Sequence, residues 1–383
     1  FFIKVFFSIL LIFNLTFVNS AKAGPTFVNA DTFDVGTRTV NKPQNVVFSA
    51  DGLRMFVVNN MNSPSSNDGD RVDQYHLSTK FDITSAGTIQ AFKIVKNEDS
   101  APRGIAFSAS GFSMFVVGDA GNEVNEYTLQ TAFDLSSNVS LENTFSISQD
   151  SNPAGIAFND NGTRMFVVGF NDGEVNTYSL ATGFDLSNGS GTEVRHINVF
   201  STTGQTSKPN GIAFNNDGTM MFVIGMGDDD NVNKYTLESP FDLSNGSGTA
   251  VTSVGSFDLS NESTVPRALA FNEDGTVMYV TATFESDILS YDLDAPFDIG
   301  FTDPILSSSV PADNATSVAV DANIVLNFSE NVDRESGNIT IKKTSDNSTV
   351  ETISVTSSQV TGTGSKQITV NPSSNFDDLT QYY

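Results

Sequence analysis

The chain has 383 residues with an apolar share of 38%, enough for two or three domains with real cores. Its 45 acidic residues against 19 basic ones give a formal net charge of −26, which argues against nucleic acid as a partner. With no cysteine, disulfides, thiolate metal sites, cysteine nucleophiles and a lipid-bearing cysteine are all excluded, and stability must come from packing.

The first predicted element is a leader. Lys4 precedes an apolar run from Val5 to Phe13, and Ala21-Lys22-Ala23 forms a small-x-small cleavage signature, so residues 1–23 read as a signal peptide cleaved after Ala23. Ser8, Asn14 and Thr16 interrupt a run already short for spanning a bilayer, so no membrane insertion is expected after cleavage. The chain reads as exported, secreted or held at the cell surface, where salt screens its acidic surface.

From residue 24 to 302 one block recurs five times. Pro43, Pro102, Pro153, Pro209 and Pro266 are each followed by a phenylalanine (Phe48, Phe107, Phe158, Phe214, Phe271), a glycine (Gly52, Gly111, Gly162, Gly218, Gly275) and a methionine (Met55, Met114, Met165, Met221, Met278) at constant spacing. A tyrosine followed by Phe-Asp closes each copy: Tyr75/Phe81-Asp82, Tyr127/Phe133-Asp134, Tyr178/Phe184-Asp185, Tyr235/Phe241-Asp242 and Tyr291/Phe297-Asp298. Successive prolines are 59, 51, 56 and 57 residues apart, room for four short strands with turns. In the second copy, strands are expected over 104–107, 114–118 and 124–129, with a fourth around Phe145. The first two strands are apolar on both faces, as expected of a sheet sandwiched between neighbouring sheets. The segment from Thr26 to Val35 looks like a fourth strand without its first three, and the last copy ends after its third strand at Leu293. The expected fold is therefore all-β: a five-bladed β-propeller closed by its N-terminal strand, then an Ig-like β-sandwich.

The five copies resemble β-propeller repeats of extracellular bacterial proteins, related in style to lactonase-like and WD-repeat propellers. The Phe-Asp pairs resemble the Trp-Asp landmark of WD repeats in position and are read as structural. The resemblance sets the fold and leaves function open, because propellers host enzymes, lectins and scaffolds alike.

Residues 303–383 change character, with more Ser and Thr and fewer aromatics. The string from Ser309 through Pro311-Ala-Asp and Asn323-Ile-Val-Leu-Asn-Phe-Ser329 is similar to the bacterial Ig-like domain of S-layer and other surface proteins. Ile324, Leu326 and Phe328 fall two apart and share one face, while Ile339, Ile341, Ile353, Val355, Ile368 and Val370 fit further strands. The family pattern continues past its Thr-x-Tyr-Tyr strand, so the sandwich, ending at Thr380-Gln-Tyr-Tyr383, is expected to be incomplete, to leave an open edge and to be followed by more such modules. The resemblance implies a spacer.

Propeller ligands sit where the chain enters each innermost strand, here the residues flanking the repeated prolines. Gln44, Arg103, Ala154, Asn210 and Arg267 follow the prolines, and Asn45 stands where other copies have Gly or Ala. Arg103 and Arg267, together with Gln44, Asn45 and Asn210, form the candidate ligand mouth, the arginines suited to a carboxylate, sulfate or phosphate. The same arginines among so many acids also fit exposed ion pairs. A second candidate is a calcium site: Asp99 and Asp150 lie three residues before their prolines, Glu262 four before its own, and the run Asp228-Asp229-Asp230 exceeds what a turn needs. Turn chemistry accounts for most of the other loop acids without a metal.

For catalysis the residues offer little. His76 and His196 fall on third or fourth strands toward the outside, no Gly-x-Ser-x-Gly elbow occurs, and the innermost strand entrances hold no acid. The preferred expectation is a non-catalytic exported binding or scaffold protein with an extracellular ligand, glycan or protein. The alternative is a secreted hydrolase or lyase acting on a lactone or polysaccharide at the channel mouth.

Overall fold

In the computed structural model the described residues are 6–7, 29–35, 42–60, 70–187, 193–226, 230–259, 265–283, 286–293, 295–299, 306–313, 315–332, 334, 337–363, 365–377 and 380–382. Apart from Phe6–Phe7, the leader lies outside them. Two compact units are present, one Gly24–Phe301 and the other Thr302–Tyr383 with Phe1–Ala23.

The first unit is propeller-like. Among the described residues it holds five four-stranded antiparallel sheets. The second is typical: Pro102–Phe107, Ser113–Gly118, Glu123–Leu129 and Val139–Ser146, paired in that order. The innermost strands, Pro43–Phe48, Pro102–Phe107, Pro153–Phe158, Pro209–Phe214 and Pro266–Phe271, lie side by side in a cycle whose last member adjoins the first. In the fifth sheet Asn29–Asp34 supplies the outer strand, antiparallel to Asp287–Asp292, as the N-terminal sequence requires.

The apolar cores lie between the sheets. Phe56 and Val58 of the first sheet join Ile105, Met114 and Tyr127 of the second in one buried cluster, and the pattern repeats round to Tyr279 and Ile288 of the fifth against Val46 and Met55 of the first. Ring contacts mark each junction: Phe56–Phe107, Phe115–Phe158, Phe166–Phe214 and Phe222–Phe271 at 4.6–4.7 Å, then Tyr279–Phe48 at 4.5 Å. Each fully buried aromatic contributes about 1.5–3 kcal/mol of transfer free energy, which no single sheet can collect alone.

The Phe-Asp pair serves its own sheet. Phe133 adopts a left-handed backbone, φ 52°, and its N–H donates to the Gly111 carbonyl at 2.9 Å. A Cβ on Gly111, itself at φ 74°, would stand 2.1 Å from the Phe133 ring, so the ring occupies the space a side chain would need. Asp134 then accepts the Ser136 N–H at 2.9 Å and closes the turn. The other four copies repeat the left-handed phenylalanine over a left-handed glycine.

One expectation changes. The outer strands start earlier than their apolar residues suggest, at Val139 and not near Phe145, because the ladder to the third strand carries polar pairs such as Ser140 with Thr128. The third strands are as buried as the first two despite their polar letters, because those side chains bridge to the next sheet: Gln74 Oε1 accepts the Leu135 N–H at 2.6 Å and Glu126 Oε2 the Leu186 N–H at 3.0 Å.

The second unit has a sheet of Leu306–Val310, Ile324–Val332, Ser365–Val370 and Val360–Thr361, and a hairpin of Asn338–Lys342 with Thr349–Ser354. Leu326, Ile368 and Val370 from the sheet share one core with Ile341 and Ile353 from the hairpin. Gln381–Tyr382 pairs in parallel with Phe6–Phe7, within the leader expected to be cleaved, and Tyr382 bridges Lys343. Tyr382 is fully buried, its ring 4.9 Å from Phe376 and its hydroxyl accepting the Asp377 N–H.

Candidate functional site

The mouth of the central channel is built by two rings of residues. One follows the repeated prolines: Gln44, Arg103, Ala154, Asn210 and Arg267. The other ends each second strand, seventeen residues after the proline: Asn60, Asp119, Phe170, Met226 and Thr283. Each member of the second ring donates its backbone N–H to the carbonyl just before the proline, at 3.1–3.2 Å, which fixes the two rings side by side. Beneath them the innermost strands approach so closely that a Cβ on Gly104 would fall 2.5 Å from the Ala154 carbonyl of the next sheet.

The arginines divide between the two readings open to them. Arg103 is paired: Nε donates to Asp119 Oδ2 at 2.8 Å, Nη2 donates to the same oxygen, and the guanidinium lies 5.7 Å from the Phe170 ring centre. Arg267 is not. Among the described residues it has no salt-bridge partner, and its Nε and Nη1 are enclosed without a hydrogen-bond acceptor. Burial first, then repulsion from Arg103, pushes the Arg267 guanidinium down to about 10, against the attraction of Asp119, so it stays charged at neutral pH. A partly buried cation short of acceptors favours an incoming anion, because the anion supplies hydrogen bonds and countercharge together.

Gln44, Asn45 and Asn210 are buried beside the arginines. The Gln44 amide donates to the Lys42 carbonyl at 3.1 Å, and that of Asn210 points at Met226 Sδ, 3.8 Å away. Around the mouth the first, second and fifth sheets thus give polar and cationic groups, the fourth gives Asn210 with Met226, and the third gives only Ala154 and Phe170. The first ring was legible in the sequence. The second was not, although its constant offset from the proline and its change of letter in every copy were the available signal.

The acidic candidates do not converge. Asp99 Oδ1 accepts the Ala101 N–H at 2.6 Å and Asp150 Oδ1 the Asn152 N–H at 2.7 Å, each within its own turn, where Thr206 does the same work for Lys208. Burial pushes both carboxyls up. No group of three or more His, Asp or Glu able to hold a metal occurs among the described residues. Asp230 lies at the start of the strand Asn231–Leu237, where its carbonyl accepts the Leu259 N–H, and Asp228, Asp229 and Glu262 lie outside the described residues. His76 is exposed, and His196 meets Asn176 Oδ1 at 3.0 Å on an outer strand.

Comparison with known proteins agrees with this architecture. Residues 68–240 match the family described as lactonase, 7-bladed beta-propeller, and residues 301–383 match the bacterial Ig-like domain. The chain thus resembles a lactonase-like propeller and a bacterial Ig-like domain in series. The matched propeller family is described with seven blades, against five sheets among the described residues here. No curated protein matches the chain. Similar solved structures include a protein of unknown function from Desulfotomaculum acetoxidans (14% identity, TM-score 0.42, 68% of this chain and 71% of that one covered). The periplasmic gluconolactonase of Pseudomonas aeruginosa is also similar (14%, 0.39, 89% and 72%), as is hydrazine synthase of Kuenenia stuttgartiensis (13%, 0.37, 76% and 64%). No chemistry is carried over at such scores. No helix among the described residues is long and apolar enough to cross a membrane.

Proposed function

We propose that this chain is an exported binding protein of the bacterial surface or extracellular space, whose propeller, a ring closed at five blades, presents an anion-recognising mouth, with the Ig-like unit as spacer. The unpaired guanidinium of Arg267 carries this reading, because a partly buried cation beside a second arginine gains most from an anionic ligand. The match to the bacterial Ig-like domain supports the surface placement. Titration with sulfate and with acetate, read by calorimetry, tests it: Arg267→Gln lowers affinity by about tenfold, as loss of a charge-assisted hydrogen bond predicts. Unchanged affinity in that variant removes the mouth from consideration.

The lactonase family match favours a second reading, hydrolysis of a lactone at the same mouth. Asp119, the acid nearest the arginines, is engaged by Arg103, so that reading needs a base the mouth does not offer as it stands. Turnover of a sugar-lactone panel, abolished by Arg267→Gln, would establish it over simple binding.

A further inference from the structure

At the end of the channel opposite the mouth, where the innermost strands finish, lies a cavity of about 520 Å³. Its wall repeats round the ring: Val47, Ala106, Ala157, Ala213 and Ala270, with Phe271 at the outlet. Alanine occupies this position in four of the five copies and valine in the first, and these short side chains leave the space open, since a larger one would fill it. Each innermost strand pairs on one edge only, so the apolar character of the cavity comes from its side chains. A volume of this size with an apolar wall is that of a ligand pocket.

The rim decides the charge of the occupant. Glu273 lines the cavity, and Asp51, Asp160, Asp217 and Asp274 sit exposed in the same ring of hairpin turns. Hydroxyls hold three of them ionised: Ser49 keeps the Asp51 carboxyl, Thr219 that of Asp217 and Thr276 that of Asp274 below the ordinary carboxylate range. No lysine or arginine lines the cavity. Arg54 and Arg164, which follow two of the turns, reach sideways to the Ala132 carbonyl and to Asp242. An apolar cavity lined by Glu273 and bordered by turns of which four in five carry a carboxylate, in a chain of net charge −26, rejects anions and favours a cation with an apolar body.

We infer that this lower cavity is a second binding site, separate from the arginine mouth, for a hydrophobic organic cation: a bulky aliphatic or alicyclic ammonium whose hydrocarbon body enters the Ala-lined space while its charge stays at the Glu273 rim. Three probes with one hydrocarbon cage test it by calorimetry at low salt: 1-adamantylammonium, 1-adamantanol and adamantane-1-carboxylate. The ammonium binds with saturation and at least about fivefold more tightly than the alcohol, with the carboxylate weakest. Glu273→Gln, a change on an exposed turn that leaves the fold intact, narrows the gap between ammonium and alcohol, and Ala213→Leu weakens both by partly filling the cavity. Equal affinity of alcohol and ammonium, tighter binding of the carboxylate, no saturable binding of any probe, or an unchanged gap in Glu273→Gln would each overturn the inference.

Discussion

The hydroxyl of Tyr279, in the last sheet, donates to the backbone carbonyl of Phe81, in the first. In the other four sheets the same position holds Phe56, Phe115, Phe166 and Phe222, which pack alike and have no hydroxyl. Two more hydroxyls of the fifth sheet reach across this seam, Thr281 to the Gln44 carbonyl at 3.3 Å and Thr283 to the Pro43 carbonyl at 2.6 Å. Residues that depart from the repeat thus join its two ends. Tyr279→Phe keeps the 4.5 Å ring contact with Phe48 and removes one hydrogen bond, and we expect a loss of about 1 kcal/mol in urea denaturation. The equivalent exchange run backwards, Phe166→Tyr, is expected to stabilise nothing; a gain there would show that the seam is not special.

Gly111 and Gly248 separate backbone strain from steric overlap. Both have positive φ, 74° and 80°, but a Cβ on Gly248 meets nothing within 4 Å, while one on Gly111 meets Phe133 at 2.1 Å. Gly248→Ala is expected to cost about 1 kcal/mol, and Gly111→Ala roughly 3 kcal/mol or more, since the ring must move. Equal melting temperatures for the two variants would refute the packing role of the Phe-Asp motif.

Asp99 and Asp150 make stability depend on pH. Their folded carboxyls bind protons more readily than the unfolded chain's, so the stabilisation from protonating them is complete below the ordinary carboxylate value and is lost as pH rises through the raised one. Asp51 and Asp134, held low by the hydroxyls of Ser49 and Ser136, act in the opposite sense and lose their contribution as pH falls below the ordinary value. Asp150→Thr copies the turn that Thr206 already makes. We expect about 1 kcal/mol of added stability at pH 7, shrinking toward pH 4, in denaturation curves taken at both.

Asp119 restrains the mouth. Asp119→Asn leaves Arg103 without its carboxylate beside Arg267, and we expect sulfate to bind roughly fivefold more tightly, from about 1 kcal/mol of charge interaction at a partly exposed site. Weaker binding in this variant would mean that Asp119 organises the site and does not compete for it.

The sheets could be read directly because Pro, Phe, Gly and Met recur at fixed offsets, with Phe and Met packing into the core shared with the neighbouring sheet. The buried Gln74 and Glu126 were hidden, since a polar letter on a strand carries no sign that its partner is a backbone N–H some sixty residues away. The same limit applied to Asp99 and Asp150: sequence spacing aligned them on one rim, while one oxygen of each carboxylate is taken by the N–H two residues on. Arg103 and Arg267 were equivalent letters. Only the position of Asp119 makes one a paired side chain and the other an open charge.

The offset between wall and mouth has an evolutionary consequence. Phe and Met bear the packing between sheets, whereas the residues just after the proline and at the end of the second strand bear little of it, so the rim positions other than Thr283 at the seam are free to be rewritten while the scaffold stands. A new specificity then needs a few point changes at the rim and no redesign of the barrel beneath it.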